Sequence, residues 1–219
     1  MDAQFWLAKW KRNEIGFHAL HAHPTMVAYF SGPCAPQGAC VFVPLCGKSL
    51  DIHWLLKRNY RVIGVELSRL AVEQLFVELD IHPAISCLPS GVVVFEGPNI
   101  RIFAADIFSL TPDVLGSVDI VYDRAALVAL PPQMAALYAH HLTYLTKSAD
   151  QLLVCVEYDQ ERLSGPPFAV MAQDVERYYA QDYTIASIEH FPVANGIKGR
   201  EPGYEHIWFL HAQKREFKK

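Results

Sequence analysis

Residues 41–51 read VFVPLCGKSLD, from Val41 to Asp51: most of an apolar run, Cys40 to Leu45, of buried-strand character, then a turn at Gly47 and the start of a helix. A short continuous apolar run of this kind is what a strand covered on both faces requires. A strand that hands over to a helix through a glycine-containing turn is the unit from which parallel sheets are built. The same alternation recurs outward from it. A helix is expected from about Leu50 to Asn59, then a strand, RVIGVE, ending at Glu66. Ser68 is placed to cap a helix whose Val72, Leu75, Phe76 and Leu79 keep the i, i+3, i+4, i+7 spacing. Val92–Phe95 and Ile100–Ala104 flank Gly97-Pro98-Asn99 and read as a hairpin. VDIVYD (118–123) and LLVCVEY (152–158) read as further strands, separated by a helix opened by Pro131. A helix near Gln173–Gln181 precedes two closing strands, TIASIEHF and HIWFLHA, with no room between them for a crossover helix. That pair must therefore be antiparallel and lie at the sheet edge.

Before this core, about thirty residues form a helical lead-in, with Phe5, Trp6 and Trp10 roughly on one face and Pro24 at the first position of a second helix. With 219 residues, 52% of them apolar, the chain suffices for one α/β domain with a large core. The formal charge of −4 and the lack of long Lys/Arg runs argue against nucleic acid. No apolar run approaches bilayer length, and the N-terminal MDAQFWLAKWKRNE lacks the apolar stretch of a signal peptide. Five scattered cysteines fit a reducing compartment. A soluble cytoplasmic monomer with no membrane partner is expected.

Ligands of open α/β sheets settle at the carboxyl ends of the strands, beside turns such as that at Gly47. Three nucleotide-type readings compete there. Gly47-Lys48-Ser49 resembles the end of a P-loop, but the position that needs a glycine is Phe42, inside a strand. A dinucleotide fingerprint needs three glycines, and only Gly47 is present. S-adenosylmethionine carries no phosphates, so a turn with one glycine can serve it. Glu66, 19 positions after Gly47 at the end of the next strand, can accept hydrogen bonds from both ribose hydroxyls. Asp106-Ile107 could meet an adenine edge, or Asp106 could simply cap the turn after it. Asp123-Arg124 ends another strand; Arg124 could orient a carboxylate or an acceptor anion, or form a structural ion pair. His18, His21 and His23 do not stack on one helical face, and no metal site is expected. Cys46 has no identifiable base and reads as a small packing residue.

FWLAKW with GFH, VPLCGKS, VIGVELS, DIFSL, YDRAALVALP and GPPF, in this order across nearly the whole chain, resemble the thiopurine S-methyltransferase family, particularly its bacterial members. The resemblance implies a Rossmann-like class I methyltransferase fold. Its sheet would have seven strands, mostly parallel, with an antiparallel C-terminal pair, helices on both faces and an N-terminal helical cap. It implies one domain over residues 1–219, residues 1–31 acting as a lid. S-adenosylmethionine would be the cofactor and S-adenosylhomocysteine the product. By the resemblance Trp6, Trp10, Leu45, Glu66, Ile107 and Arg124 would line the cofactor site, joined by Gly47 and Asp106 from the reading of the strand ends. Phe17, Pro167 and a basic residue of GIKGRE, Lys198 or Arg200 with Arg200 preferred, would face the acceptor. The implied reaction is in-line attack of a thiolate or selenolate of a small acceptor on the sulfonium methyl, with Arg124 favouring the anionic acceptor. Aromatic or heterocyclic thiols such as thiopurines are the expected acceptors, with selenium or tellurium compounds as further candidates. A nucleotide-linked oxidoreductase and a non-catalytic S-adenosylmethionine-binding protein are the alternatives.

Overall fold

The computed structural model describes residues 3–16, 18–32 and 35–213. It is an α/β fold in which nine strands form a mixed sheet, and the chain divides into two compact units, residues 1–122 and 123–219.

The first unit opens with helices α1 (Ala3–Lys11) and α2 (Pro24–Ser31), the latter with Pro24 in its first turn as anticipated. The Val41 stretch lies in strand β1 (Cys40–Pro44), buried at every residue. Ser49 then caps α3 (Leu50–Lys57) by accepting from Asp51 N at 3.2 Å. β2 (Arg61–Glu66) follows, and Ser68 caps α4 (Arg69–Glu78) by accepting from Ala71 N. Val72, Leu75 and Phe76 form the buried stripe of α4. Each such side chain contributes roughly 1.5–3 kcal/mol relative to exposure, and α3 and α4 both pack on β2. β3 (Ala84–Cys87), β4 (Val93–Gly97) and β5 (Ile100–Ala104) complete the order β3-β4-β5-β2-β1. A short α5 (Pro112–Leu115) precedes β6 (Ile120–Arg124), which pairs with β1. The centre is parallel: β1 with β2, β2 with β5, and β1 with β6. β4 and β5 form the expected hairpin across Pro98-Asn99.

The second unit takes up the end of β6 and continues with α6 (Pro132–Leu145), β7 (Asp150–Tyr158), α7 (Ala172–Tyr179), β8 (Tyr183–Pro192) and β9 (Gly203–Ala212). Its strands run in the order β7-β9-β8, both pairs antiparallel. β8 carries a bulge between Ser187 and Glu189 and is largely exposed. Bulging is a common way to blunt an unpaired edge.

The fold class is the expected one, and the sheet has nine strands where the resemblance implies seven and the residue pattern marks eight. β3 adds a strand at one edge, antiparallel to β4. All four of its residues are exposed, and four residues of mixed character between Pro83 and Pro89 are too few for a period to show. With the β3-β4-β5 and β7-β9-β8 pairings antiparallel, the sheet is mixed rather than mostly parallel.

Candidate cofactor site

Three parallel strand ends are brought level in the first unit. Pro44 of β1 pairs with Val65 of β2, and Glu66 pairs with Ala104 of β5. Leu45, Glu66 and the Asp106-Ile107 step therefore follow one another along the carboxyl edge of the sheet, where open α/β sheets take ligands.

The turn after β1 is bent by two left-handed residues, Leu45 (φ 47°) and Gly47 (φ 50°). Such a conformation is easy for glycine and costs a branched side chain energy. Cys46 N donates to Val65 O at 3.0 Å and fastens the turn to β2. The Cys46 thiol is fully buried. A Cβ on Gly64 would come within 2.9 Å of its sulfur, so the glycine supplies the space the sulfur fills. Burial, followed by the nearby Glu66 charge, pushes this thiol far above its ordinary range. Cys46 is thus a packing residue and no nucleophile.

Glu66 closes the turn. Its Oε2 accepts from Gly47 N at 2.9 Å and its Oε1 from Ser68 N at 2.7 Å. Burial pushes the carboxyl up to about 7, against the opposing pull of the Ser68, Gly47 and Leu67 amides. An ionised carboxylate offers about four acceptor positions. The Gly47 and Ser68 bonds occupy two of them, which leaves acceptor capacity of the kind a vicinal pair of hydroxyls requires. Trp10 of α1 is buried against the turn, its indole 3.0 Å from where a Gly47 Cβ would stand. The structure therefore brings Trp10, Gly47 and Glu66 together, with half-buried Leu45 in the same turn. Trp6 lies one helical turn before Trp10, its ring edge-on to Phe5. Ile107 is buried in the short turn after β5. Asp106 caps that turn, its Oδ1 accepting from Phe108 N at 3.0 Å, and is otherwise exposed. Lys48, the residue with P-loop likeness, is ion-paired with Glu78 of α4.

In the second unit Arg124 ends β6 and is half-buried. Its neighbour Asp123 is fully buried and accepts from Leu127 N at 3.1 Å and Tyr138 OH at 2.7 Å. Burial, opposed by those two bonds and by the Ala126 amide, pushes the Asp123 carboxyl up to about 6. Pro167 sits in a loop tied to β7: its carbonyl accepts from Tyr158 OH at 2.6 Å, and Gln160 Nε2 donates to Leu163 O at 2.6 Å. Of the two basic candidates, Lys198 donates to Ser164 O at 2.9 Å, whereas exposed Arg200 lines a cavity of about 260 Å³ together with Pro192, Asn195, Gly196 and Tyr204. Phe17 lies outside the described residues.

Sequence reasoning missed the Asp123–Tyr138 bond, which joins a strand end to α6, and the role of Asp51. That buried carboxylate accepts from His23 N at 2.7 Å and Tyr122 OH at 3.0 Å. A helix-borne Asp directly after a cap residue looks like a solvated first-turn acid, and only the three-dimensional partners mark it otherwise.

Solved structures of S-adenosylmethionine-dependent methyltransferases share the fold. A 1,6-didemethyltoxoflavin-N1-methyltransferase of Burkholderia thailandensis, with 1,6-didemethyltoxoflavin and S-adenosylhomocysteine bound, superposes with a TM-score of 0.63 at 14% identity, covering 95% of this chain and 87% of that one. The magnesium protoporphyrin IX methyltransferase of Synechocystis, with S-adenosylmethionine bound, gives 0.60 at 14% identity, over 86% and 77% of the two chains. The fold class is therefore the Rossmann-like α/β fold that these structures share.

Sequence comparison narrows it. The family model for thiopurine S-methyltransferase matches residues 1–207. The thiopurine S-methyltransferase of Xanthobacter autotrophicus is 51% identical over 96% of this chain and 99% of its own. That of Teredinibacter turnerae is 46% identical over 96% and 97%. A probable thiopurine S-methyltransferase of the yeast Yarrowia lipolytica is 38% identical over 92% and 96%. The chain belongs to the thiopurine S-methyltransferase family, whose methyl donor is S-adenosylmethionine.

Proposed function

We propose that this protein transfers a methyl group from S-adenosylmethionine to the sulfur of small aromatic or heterocyclic thiols such as thiopurines, selenium or tellurium compounds being secondary candidates. Family membership supports the reading, and one observation in the structure carries it. A buried carboxylate, Glu66, is held by Gly47 N and Ser68 N at the carboxyl ends of parallel strands, with acceptor positions to spare.

When bound, S-adenosylmethionine supplies an already activated sulfonium methyl, so the protein's part is placement and exclusion of water. Glu66 takes the ribose hydroxyls. Trp6, Trp10, Leu45 and Ile107 supply apolar walls, with Gly47 forming the turn and Asp106 beside the base. Arg124 holds the anionic end of the methionine portion or of the acceptor. Pro167 and Arg200 belong to the acceptor side, as does Phe17. The chain acts as one domain and as a monomer, with residues 1–31 as a lid. It works in the cytoplasm on a small molecule, without nucleic acid or membrane. Among the described residues no helix is long and apolar enough to cross a membrane.

Titration calorimetry with S-adenosylhomocysteine, with NADH as control, tests the cofactor assignment. One-to-one micromolar binding that Glu66→Ala abolishes is expected. Binding of NADH alone would instead favour a nucleotide-linked oxidoreductase. Methyl transfer to a thiopurine, with Arg124→Ala chiefly lowering turnover, tests the acceptor class. Cofactor binding with no transfer to any thiol would mark a binding protein.

A further inference from the structure

Outside the residues assigned above, three metal-type donors converge on one face of the β7-β9-β8 strands. Glu157 of β7, His190 of β8 and His206 of β9 each place a donor atom within 4.8 Å of the others. His206 Nδ1 lies 2.7 Å from Glu157 Oε1, and His190 Nε2 lies 3.2 Å from Glu157 Oε2. The register accounts for this meeting. Glu157 stands opposite Tyr204, and His190 stands opposite His206. Tyr204 and His206, two apart on one strand, point to the same face, and directly opposed residues share a face. The bulge between Ser187 and Glu189 has a consequence here. Three residues before His190, Ser187 would ordinarily point away. The extra residue instead brings its hydroxyl to 2.8 Å from His206 Nε2.

We propose that Glu157, His190 and His206 form a binding site for a divalent first-row transition cation of the zinc type, serving to cross-link β7, β9 and the edge strand β8. Two imidazoles and one carboxylate are the donor set that zinc-like ions favour, whereas calcium and magnesium prefer oxygen alone. Bonds of about 2.0–2.2 Å in tetrahedral array put donors roughly 3.3–3.5 Å apart. The imidazoles meet different oxygens of Glu157, at 2.7 and 3.2 Å, and the three donors lie within 4.8 Å of one another, so an ion would draw the widest pair closer.

The surroundings suit such a site. Ser187 is placed to accept from the outer ring nitrogen of His206 once Nδ1 ligates, the partner that metal-bound histidines commonly have. The Trp208 indole stacks on His206 with ring centroids 3.7 Å apart and fixes the plane of the imidazole. His190 has 41% of its side chain exposed, which gives an ion a way in and leaves a coordination position for water. A hydrogen-bonded relay through Ser187, His206 and Glu157 alone would not explain why a second imidazole meets the same carboxylate.

Calorimetric titration of tag-free protein with zinc chloride is the test, followed by cobalt(II) substitution. Binding of one equivalent in the micromolar range is expected, with visible cobalt bands of four- or five-coordinate intensity and a thermal midpoint raised by about 4 °C or more at a hundredfold excess over Kd. His190→Ala and Glu157→Gln should each weaken zinc at least about 100-fold, and Ser187→Ala about tenfold. His211→Ala, which alters a separate pair with Asp150, should change nothing. His190 is exposed, so its removal leaves the core intact. No zinc binding tighter than millimolar, or equal binding by wild type, His190→Ala and Glu157→Gln, would overturn the site.

Discussion

Two buried carboxylates, one in each unit, end parallel-type strands and differ in what surrounds them. Glu66 is met by two backbone amides from turns on either side of it. Asp123 is met by a backbone amide and by the Tyr138 hydroxyl from a long helix. Burial raises both, to about 7 and about 6. The Asp123 partners belong to the scaffold, since Tyr138 is itself fully buried in α6. Glu66 stands beside a glycine turn bent by φ values that only a stabilised loop keeps. The contrast teaches that burial and a raised carboxyl do not by themselves mark a binding site. The remaining acceptor capacity and the identity of the donors do.

The largest effect expected is on the scaffold side. Asp123→Ala leaves the Tyr138 hydroxyl and the Leu127 amide without an acceptor and should cost about 3 kcal/mol in denaturant unfolding. Asp123→Asn should recover much of that. If Asp123→Ala instead leaves stability intact and abolishes S-adenosylhomocysteine binding, the contrast between the two acids collapses.

Next, Glu66→Ala should weaken S-adenosylhomocysteine about 100-fold with a smaller loss of stability, measured by calorimetry and denaturation together. The pH dependence sharpens the same point. Hydroxyl donors favour the ionised carboxylate, whose proton is lost only near pH 7. Affinity should therefore rise about tenfold per unit from pH 5 to about 7 and then level off. In Glu66→Gln that slope should vanish.

Gly47→Ala combines a left-handed φ with a Cβ 3.0 Å from Trp10. It should cost about 1–2 kcal/mol and shift the Trp10 fluorescence. Smallest of all, Asp106→Ala removes a helix cap and should cost about 1 kcal/mol or less in stability. A loss of affinity well beyond that would show Asp106 contacting the cofactor directly.

Local pattern made much of this legible. The α4 stripe, the Ser68 cap, Pro24 and the β4-β5 turn all depend on neighbours within a few residues, and each lies where its spacing placed it, except that Leu79 of the stripe falls at the helix C-cap and is half-buried. The antiparallel ending followed from a connection too short for a crossover. β3 was not distinguished because Ala84-Ile85-Ser86-Cys87, between Pro83 and Pro89, is too short for any period to show. Its pairing with β4 is a property of the backbone alone. The partners of Asp51, Asp123 and Glu157 were invisible for another reason. Tyr122 is 71 positions from Asp51, and His206 is 49 from Glu157. Such meetings are set by strand register, which no local window contains. The Gly47–Glu66 spacing was readable because both ends belong to one strand-helix-strand unit.

The snug seat of the Cys46 sulfur against Gly64 makes this thiol a clock. A reagent in solution can reach it only when the turn after β1 opens, whereas Cys87, on the exposed β3 edge, is open to attack throughout. The ratio of the two modification rates therefore reports how often the turn breathes. Ligand bound against Glu66 should slow the first rate and leave the second untouched.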